Sequence, residues 1–284
     1  MRGRKRRARV YDDEGGTNVR VAVAGAAGKM GGRLVHLLKA SDDFEIAGGL
    51  ERQGHPAIGR DLGEVVGLGT LGVPLVDDLK ALASKIDVLF EFTTPEASLE
   101  HLRVMADHGK PMVMGTTGFS PTQLEDIRSL AQRLPLFMAP NMSLAVNVMY
   151  KLIADAARML GPEFDVEIVE AHHRYKVDAP SGTAVRMAEI LARTLGRELD
   201  HVGVYGRKGI VGQRKDEEIA VFSIRAGDLT GDHTVMFGGI GERLEIIHRT
   251  QSRDAFGRGA LRAARWIVHQ KPGLYDMQDL LGLK

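Results

Sequence analysis

The chain has 284 residues, 44% hydrophobic and 26% charged, the composition of one large or two ordinary globular domains. It contains no cysteine, which excludes disulfides, Cys–zinc sites, iron–sulfur clusters and thiolate nucleophiles together and suits a reducing cytoplasm. The net charge of +1 is unevenly spread: residues 1–16 hold six basic and three acidic residues, which leaves 32 basic against 34 acidic in the rest, a net −2.

That basic stretch comes first in chain order. Its charge would suit nucleic acid or an acidic membrane surface. Its low hydrophobicity reads instead as a disordered tail ending at Gly15-Gly16, so neither nucleic acid nor membrane is expected as a partner. No apolar run reaches the roughly 18–20 residues of a membrane span. The basic start is followed by acidic residues, unlike a secretory signal, and a cytoplasmic location is expected.

Residues 19–24 form an apolar, β-branched run that stops at Gly25, the pattern of a buried parallel strand. A helical period follows through Met30, Leu34, Leu37 and Leu38, then a strand over 44–50. Further strands are predicted at 86–92, 111–114 and 136–139. A helix opened by Pro95 and ended by Gly109 lies between the first two. Ser120, Pro121 and Gln123 mark another helix start, with a hydroxyl cap and Gln three residues on. Alternating strands and helices predict an α/β, Rossmann-like doubly wound parallel sheet.

The pattern changes after residue 143. A long helix is predicted over 144–160, a half-buried strand over 164–170, and a helix after Pro180. Strand-like runs at 219–225, 233–237 and 244–248 follow without intervening helices, which predicts a second α+β domain with a mixed, open-faced sheet. An open face suits a homo-oligomer. A final helix over 254–269 is expected to pack back onto the first domain. The division expected is therefore a tail (1–16), a dinucleotide-binding domain (17–142 with 253–284), and a substrate-binding and oligomerisation domain (143–252).

Four motifs carry chemistry. Gly25, Ala26, Ala27, Gly28, Lys29 and Met30, followed by Gly31, lie between a strand and a helix, where a dinucleotide fingerprint sits, although the spacing is G-x-x-G-x-x-G rather than G-x-G-x-x-G. The helix start offers free N–H groups to a pyrophosphate. Glu51 and Arg52 follow the second strand, where a carboxylate meets ribose hydroxyls and an arginine meets a 2′-phosphate, so NADH and NADPH are both expected to serve. Gly115, Thr116 and Thr117 follow one strand, and Ala139, Pro140, Asn141 and Met142 the next, at the carboxyl ends where open α/β sheets bind ligands. The fourth motif runs from Glu170 to Thr183. It holds His172, His173, Arg174 and Lys176 within five residues, then opens a helix with Pro180, Ser181, Gly182 and Thr183. A helix start binds a carboxylate and histidine moves protons near neutral pH, so the cluster reads as a site for an anionic substrate needing proton transfer. No metal is expected, because adjacent histidines on a strand face opposite ways and no H-E-x-x-H spacing occurs.

These segments, above all Glu-Ala-His-His-Arg-Tyr-Lys-Val-Asp-Ala-Pro-Ser-Gly-Thr-Ala, resemble the 4-hydroxy-tetrahydrodipicolinate reductase family, long called dihydrodipicolinate reductases, from about Val19 to the C-terminus. The resemblance implies reduction of a cyclic imine dicarboxylate by NADH or NADPH in lysine and diaminopimelate biosynthesis, by a homotetramer. It implies that His172 is the acid/base histidine and Lys176 the proton-donating lysine. It implies that His173, Ser181, Gly182 and Thr183 meet substrate. The glycine loop, Glu51, Arg52, Thr93, 115–117 and 139–142 then fall on cofactor-binding segments. Met142 stands where Phe is common in the family, Tyr175 occupies a variable place, and the tail has no counterpart. Two other readings of the residues stay open: a different NAD(P)-dependent amino- or imino-acid dehydrogenase, and a non-catalytic NAD(P)-binding sensor.

Overall fold

The computed structural model describes residues 18–283; the basic tail read from residues 1–16 lies outside the described residues. Along the first half run β1 (Val19–Ala24), α1 (Lys29–Lys39), β2 (Phe44–Leu50), α2 (Leu62–Val66), β3 (Leu75–Val76), α3 (Lys80–Ala83), β4 (Val88–Glu91), α4 (Pro95–Asp107), β5 (Met112–Met114), α5 (Pro121–Leu130) and β6 (Pro135–Met138). Then come α6 (Leu144–Leu160), β7 (Asp165–His172), α7 (Gly182–Thr194), α8 (Leu199–Val202), β8 (Gly203–Val204), β9 (Ile219–Arg225), β10 (Asp232–Gly238), β11 (Arg243–Arg249), α9 (Asp254–Ile267), β12 (Gly273–Tyr275) and α10 (Met277–Leu281).

The first sheet has seven strands in the order β12-β6-β5-β4-β1-β2-β3, every pairing parallel. Both faces are covered, which is why its strands are apolar throughout rather than alternating. On one face Leu34, Leu38, Ala260 and Ala264 pack with Val21, Val23 and Phe90. On the other Leu82, Leu102 and Ile127 pack with Ala22, Leu89 and Met112. Each large apolar side chain fully buried in these layers contributes about 1.5–3 kcal/mol. Strand order reverses between β1 and β4, so the crevice between their carboxyl ends is the place for a ligand.

The second sheet has five strands in the order β11-β10-β7-β9-β8. It is mixed: β8, β9 and β7 run parallel, and β10 is antiparallel to both β7 and β11. α6 and α7 cover one face, with Met149, Ile153, Met187 and Leu191 against Ile168 and Phe237. The three strand-like runs in series do not all pair with their chain neighbours. β7 lies between β9 and β10, so the connection over 226–231 crosses the end of β7, where Ala226 N donates to the carbonyl of His172 at 3.0 Å.

Sequence pattern passes over the stretch between β2 and β4. The elements there have five, two and four residues, too few to show a period. The Asp61 carboxylate organises them, accepting backbone hydrogen bonds from Gly63, Glu64, Leu71, Gly72 and Val73. The last segment returns to the first sheet: β12 pairs with β6, and α9 packs against α1 and the sheet. A Cβ at Gly259 would fall 1.7 Å from the Met142 carbonyl, so glycine there lets α9 lie against the first chain crossing.

Candidate active site

The glycine loop bends sharply at Gly25 (φ 72°), where any Cβ would meet Phe92 O and Thr93 Cγ2. Gly31 faces the Gly25 carbonyl so closely that a Cβ would lie 2.0 Å from it. Thr94, Ser120, Ser143 and Ser181 cap α4, α5, α6 and α7 through their side chains, but α1 starts at Gly28 with no side-chain cap. Its first-turn N–H groups are thus open to a phosphate, beside exposed Gly28 and Lys29. That fits a dinucleotide. Glu51 Oε1 accepts from Ala27 N at 2.9 Å, so the acidic residue also braces the loop, while Arg52 is exposed.

The other cofactor-segment residues follow β4, β5 and β6 on the same edge. Ala26, Thr116, Ala139 and Met142 are buried, which leaves mainly their backbones to meet a ligand. Thr117 and Pro140 are exposed. Thr116 Oγ1 accepts from Thr93 N at 3.2 Å and lies 2.8 Å from Ser98 Oγ, to which its own hydroxyl can donate. Ser98 and Thr93 in turn donate to the fully buried Glu91, whose second oxygen holds His101 Nδ1 at 2.6 Å. Sequence reasoning missed this knot, because Ser98, His101 and Thr116, which complete it, lie on other elements and meet Glu91 only in the fold.

On the second sheet, alternation and register assemble the chemistry. One cross-strand row carries Ser223, Glu170, His233 and His248; the next carries Arg225 and His172, with Gly231 in line beyond them. All point to the face that α6 and α7 cover. Glu170 is fully buried. Its Oε2 accepts from His172 Nδ1 at 2.5 Å and from Arg225 at 2.9 Å; its Oε1 accepts from Arg225 at 2.9 Å and from Ser181 N at 3.1 Å. Burial pushes this carboxyl up, but hydrogen bonds from Arg225, Ser223 and His172 outweigh it and hold it at about 2. A Cβ on Gly231 would sit 3.0 Å from His172 Nε2, so glycine keeps that nitrogen clear.

Ser181 is 2% exposed; its Oγ caps α7 through Ala184 N and contacts His233 Nε2 at 3.1 Å. Gly182 faces open space, with nothing within 4 Å of where a Cβ would be. Thr183 Oγ1 accepts from Asn141 Nδ2 at 3.1 Å, which brings the loop after β6 to the start of α7. Tyr150 also hydrogen-bonds Thr183, and burial pushes its phenol up to about 12. His173 Nδ1 is buried with no partner among the described residues. Lys176 Nζ donates to both oxygens of Asp178 at 2.8 Å, so it is engaged by Asp178 rather than by His172. Glu170, Arg225, His233 and His248 had no role in the sequence reading. The i, i+2 spacing of Glu170 and His172 on a strand was the one local signal for a pair.

Residues 19–142 match the family model described as dihydrodipicolinate reductase, N-terminus, and residues 145–281 match the corresponding C-terminus model. The chain is 51% identical over 266 residues to the 4-hydroxy-tetrahydrodipicolinate reductase of Syntrophus aciditrophicus, covering 94% of this chain and 99% of that one. It is 53% identical over 266 residues to that of Citrifermentans bemidjiense, covering 94% and 100%. A solved structure, dipicolinate-bound dihydrodipicolinate reductase from Paenisporosarcina sp. TG-14, superposes with a TM-score of 0.75 at 28% identity, over 93% of this chain and 99% of that one. The crevice at the strand reversal and the Glu170–His172 row fall in two separately matched halves, and together those matches mean that the chain belongs to the 4-hydroxy-tetrahydrodipicolinate reductase family.

Proposed function

We propose that this chain catalyses the NAD(P)H-dependent reduction of 4-hydroxy-tetrahydrodipicolinate to tetrahydrodipicolinate, a cytoplasmic step of lysine and diaminopimelate biosynthesis. The observation that carries the reading is His172, anchored through Nδ1 to buried Glu170, beside an α7 start that is open at Gly182. Bound NADH or NADPH supplies the hydride. Residues 17–142 with 253–284 hold that cofactor, through Gly25 to Met30, Thr93, 115–117 and 139–142. Glu51 keeps one carboxylate oxygen for the ribose hydroxyls while the other braces Ala27, and Arg52 is free to meet a 2′-phosphate, so either cofactor serves.

Residues 143–252 hold the substrate. The Ser181-Gly182-Thr183 backbone and His173 bind its carboxylates. The substrate's 4-hydroxyl leaves as water before reduction, which gives the conjugated ring imine that takes the hydride. His172 holds a proton at Nε2, and Lys176, released from Asp178, donates the proton that balances the hydride at the ring nitrogen. Phe222, Ile224, Met236 and Ile247 alternate onto the face of the second sheet away from α6 and α7, and a homotetramer covers them.

The test follows loss of NADPH absorbance with freshly made product of the preceding synthase as substrate. His172→Ala and Lys176→Ala are expected to cut kcat by roughly 10²–10⁴, the range for losing a positioned acid or base, with NADPH affinity unchanged. No oxidation by the wild-type protein overturns the assignment; near-normal turnover in either variant removes that residue from it.

A further inference from the structure

We propose that Glu170, paired with Arg225, is the positioning residue of this site: one ion pair, its carboxylate fully buried, sets both the ring that handles the proton and the helix start that binds the substrate's carboxylate. The proposal rests on the assignment of His172 above and adds to it the group that makes His172 usable.

Each link is a hydrogen bond. An ionised carboxylate only accepts, so Glu170 Oε2, 2.5 Å from His172 Nδ1, fixes the hydrogen on Nδ1 and leaves Nε2 as the nitrogen that gains and loses the working proton. That is the nitrogen kept clear by Gly231. Through Oε1 the same carboxylate takes Ser181 N at 3.1 Å, so the residue that caps α7 is tied to the histidine by one side chain. Arg225 completes the unit. Besides its two bonds to Glu170 it donates to the Asp178 carbonyl at 2.6 Å, and Asp178 is the residue that holds Lys176. Both proton-handling side chains and the anion-binding helix start thus converge on Glu170 and Arg225.

Charges of both signs face the ring. The groups around His172 are Glu170 on its own strand, Arg225 on β9, His233 on β10 with its ring centroid 5.3 Å away, and Lys176 with Asp178 on the following loop. Glu170 favours the imidazolium; Arg225, Lys176 and any charge on His233 oppose it. Removing the negative charge alone leaves Arg225 uncompensated and drives the proton off the ring.

The test compares Glu170→Gln and Glu170→Asp with wild type in three readouts. These are the NMR titration of the His172 ring in ligand-free protein, the pH profile of kcat/KM, and NADPH binding. In Glu170→Gln the His172 midpoint and the matching limb of the profile are expected to move down together by at least about one pH unit, the size of a lost neighbouring charge. kcat should fall roughly 10²-fold or more, with NADPH affinity within about twofold of wild type by the additivity expected of separate sites. Glu170→Asp keeps the charge but withdraws it by one carbon. It should fold, lose roughly tenfold or more in kcat through misplacement, and shift the titration less than Gln does. A folded Glu170→Gln with unmoved titration and profile overturns the proposal, as does undiminished kcat in Glu170→Asp should the Gln variant not fold. The titration needs no substrate, so it decides this proposal even where full activity of His172→Ala sinks the functional reading.

Discussion

His172 and His233 set nearly perpendicular rings side by side, at 78°, yet their surroundings ask opposite things of them. His172 has a carboxylate at Nδ1 and the side-chain-free Gly231 beside Nε2. His233 is 4% exposed, hydrogen-bonds Ser181 Oγ through Nε2, and has a buried Nδ1 with no partner among the described residues. Burial first, then repulsion from His172 and His248, brings His233 down to about 4. An unfolded histidine titrates near 6.5. As pH falls the unfolded chain therefore takes the proton first. The stability tied to neutral His233 is whole above about pH 6.5 and is lost down to about pH 4, some ~3 kcal/mol in all. Burial lowers His248 as well, which adds to the same window. Urea unfolding at pH 7 and pH 4.5 should show the loss in wild type and a clearly smaller one in His233→Asn; equal losses would mean that His233 is not the group being titrated. Glu170 does not interfere, because its depressed carboxyl gives up stability only below the ordinary carboxylate range. At this scale the chain announced His172, His173 and Lys176 by their crowding. It did not announce Arg225 or His233, which stand 55 and 63 residues beyond Glu170 and meet it only through strand register.

Helix α1 shows what an element demands of neighbouring residues that look alike. Gly31 and Gly32 follow one another, but a Cβ on Gly31 would lie 2.0 Å from the Gly25 carbonyl, and one on Gly32 would find only ordinary contacts at 3.6 Å. Gly31→Ala must lift the helix off the glycine loop, where the proposed cofactor would bind. The expected cost is about 1–3 kcal/mol or more, as for overpacking, with weakened NADPH binding. Gly32→Ala should be neutral or stabilise by up to about 1 kcal/mol, since alanine is the better helix former. Thermal unfolding and a cofactor titration on both variants decide it, and equal effects at the two positions would show that close packing at Gly31 is not what requires glycine. The longer elements were legible because they carry both period and punctuation: α5 has the full capping box of Ser120 and Gln123, and α6 begins and ends where its apolar period does. The two-residue strands β3 and β8 and the three-residue β12 carry neither; their place is set by the sheet edge they extend.

The molecule as a whole is two sheets joined at two chain crossings, near 141–144 and 250–254, with Asn141 already bonded across to Thr183. On the proposed function, a cofactor on one side and substrate groups on the other require the cleft between them to close and exclude water. Solution scattering should show a smaller radius with NADPH and a dicarboxylate substrate analogue together than with either alone; identical curves for the free and doubly liganded protein would remove these crossings as hinges. The doubly wound layout could be read from alternating strand and helix, whereas the placement of β7 between β9 and β10 could not, because nothing local distinguishes a neighbour in the chain from a neighbour in the sheet. The second crossing also bears on how the protein is made. β12 and α9 belong to the first sheet, and Ala260, Ala263, Ala264 and Ile267 lie in one core with Phe90 and Phe137. On the ribosome, residues 143–252 emerge entire while that core still lacks a helix and β6 still has a bare edge, the kind of edge that recruits other strands. The first sheet is thus begun before the second and completed only after it, when α9 and β12 follow residue 252.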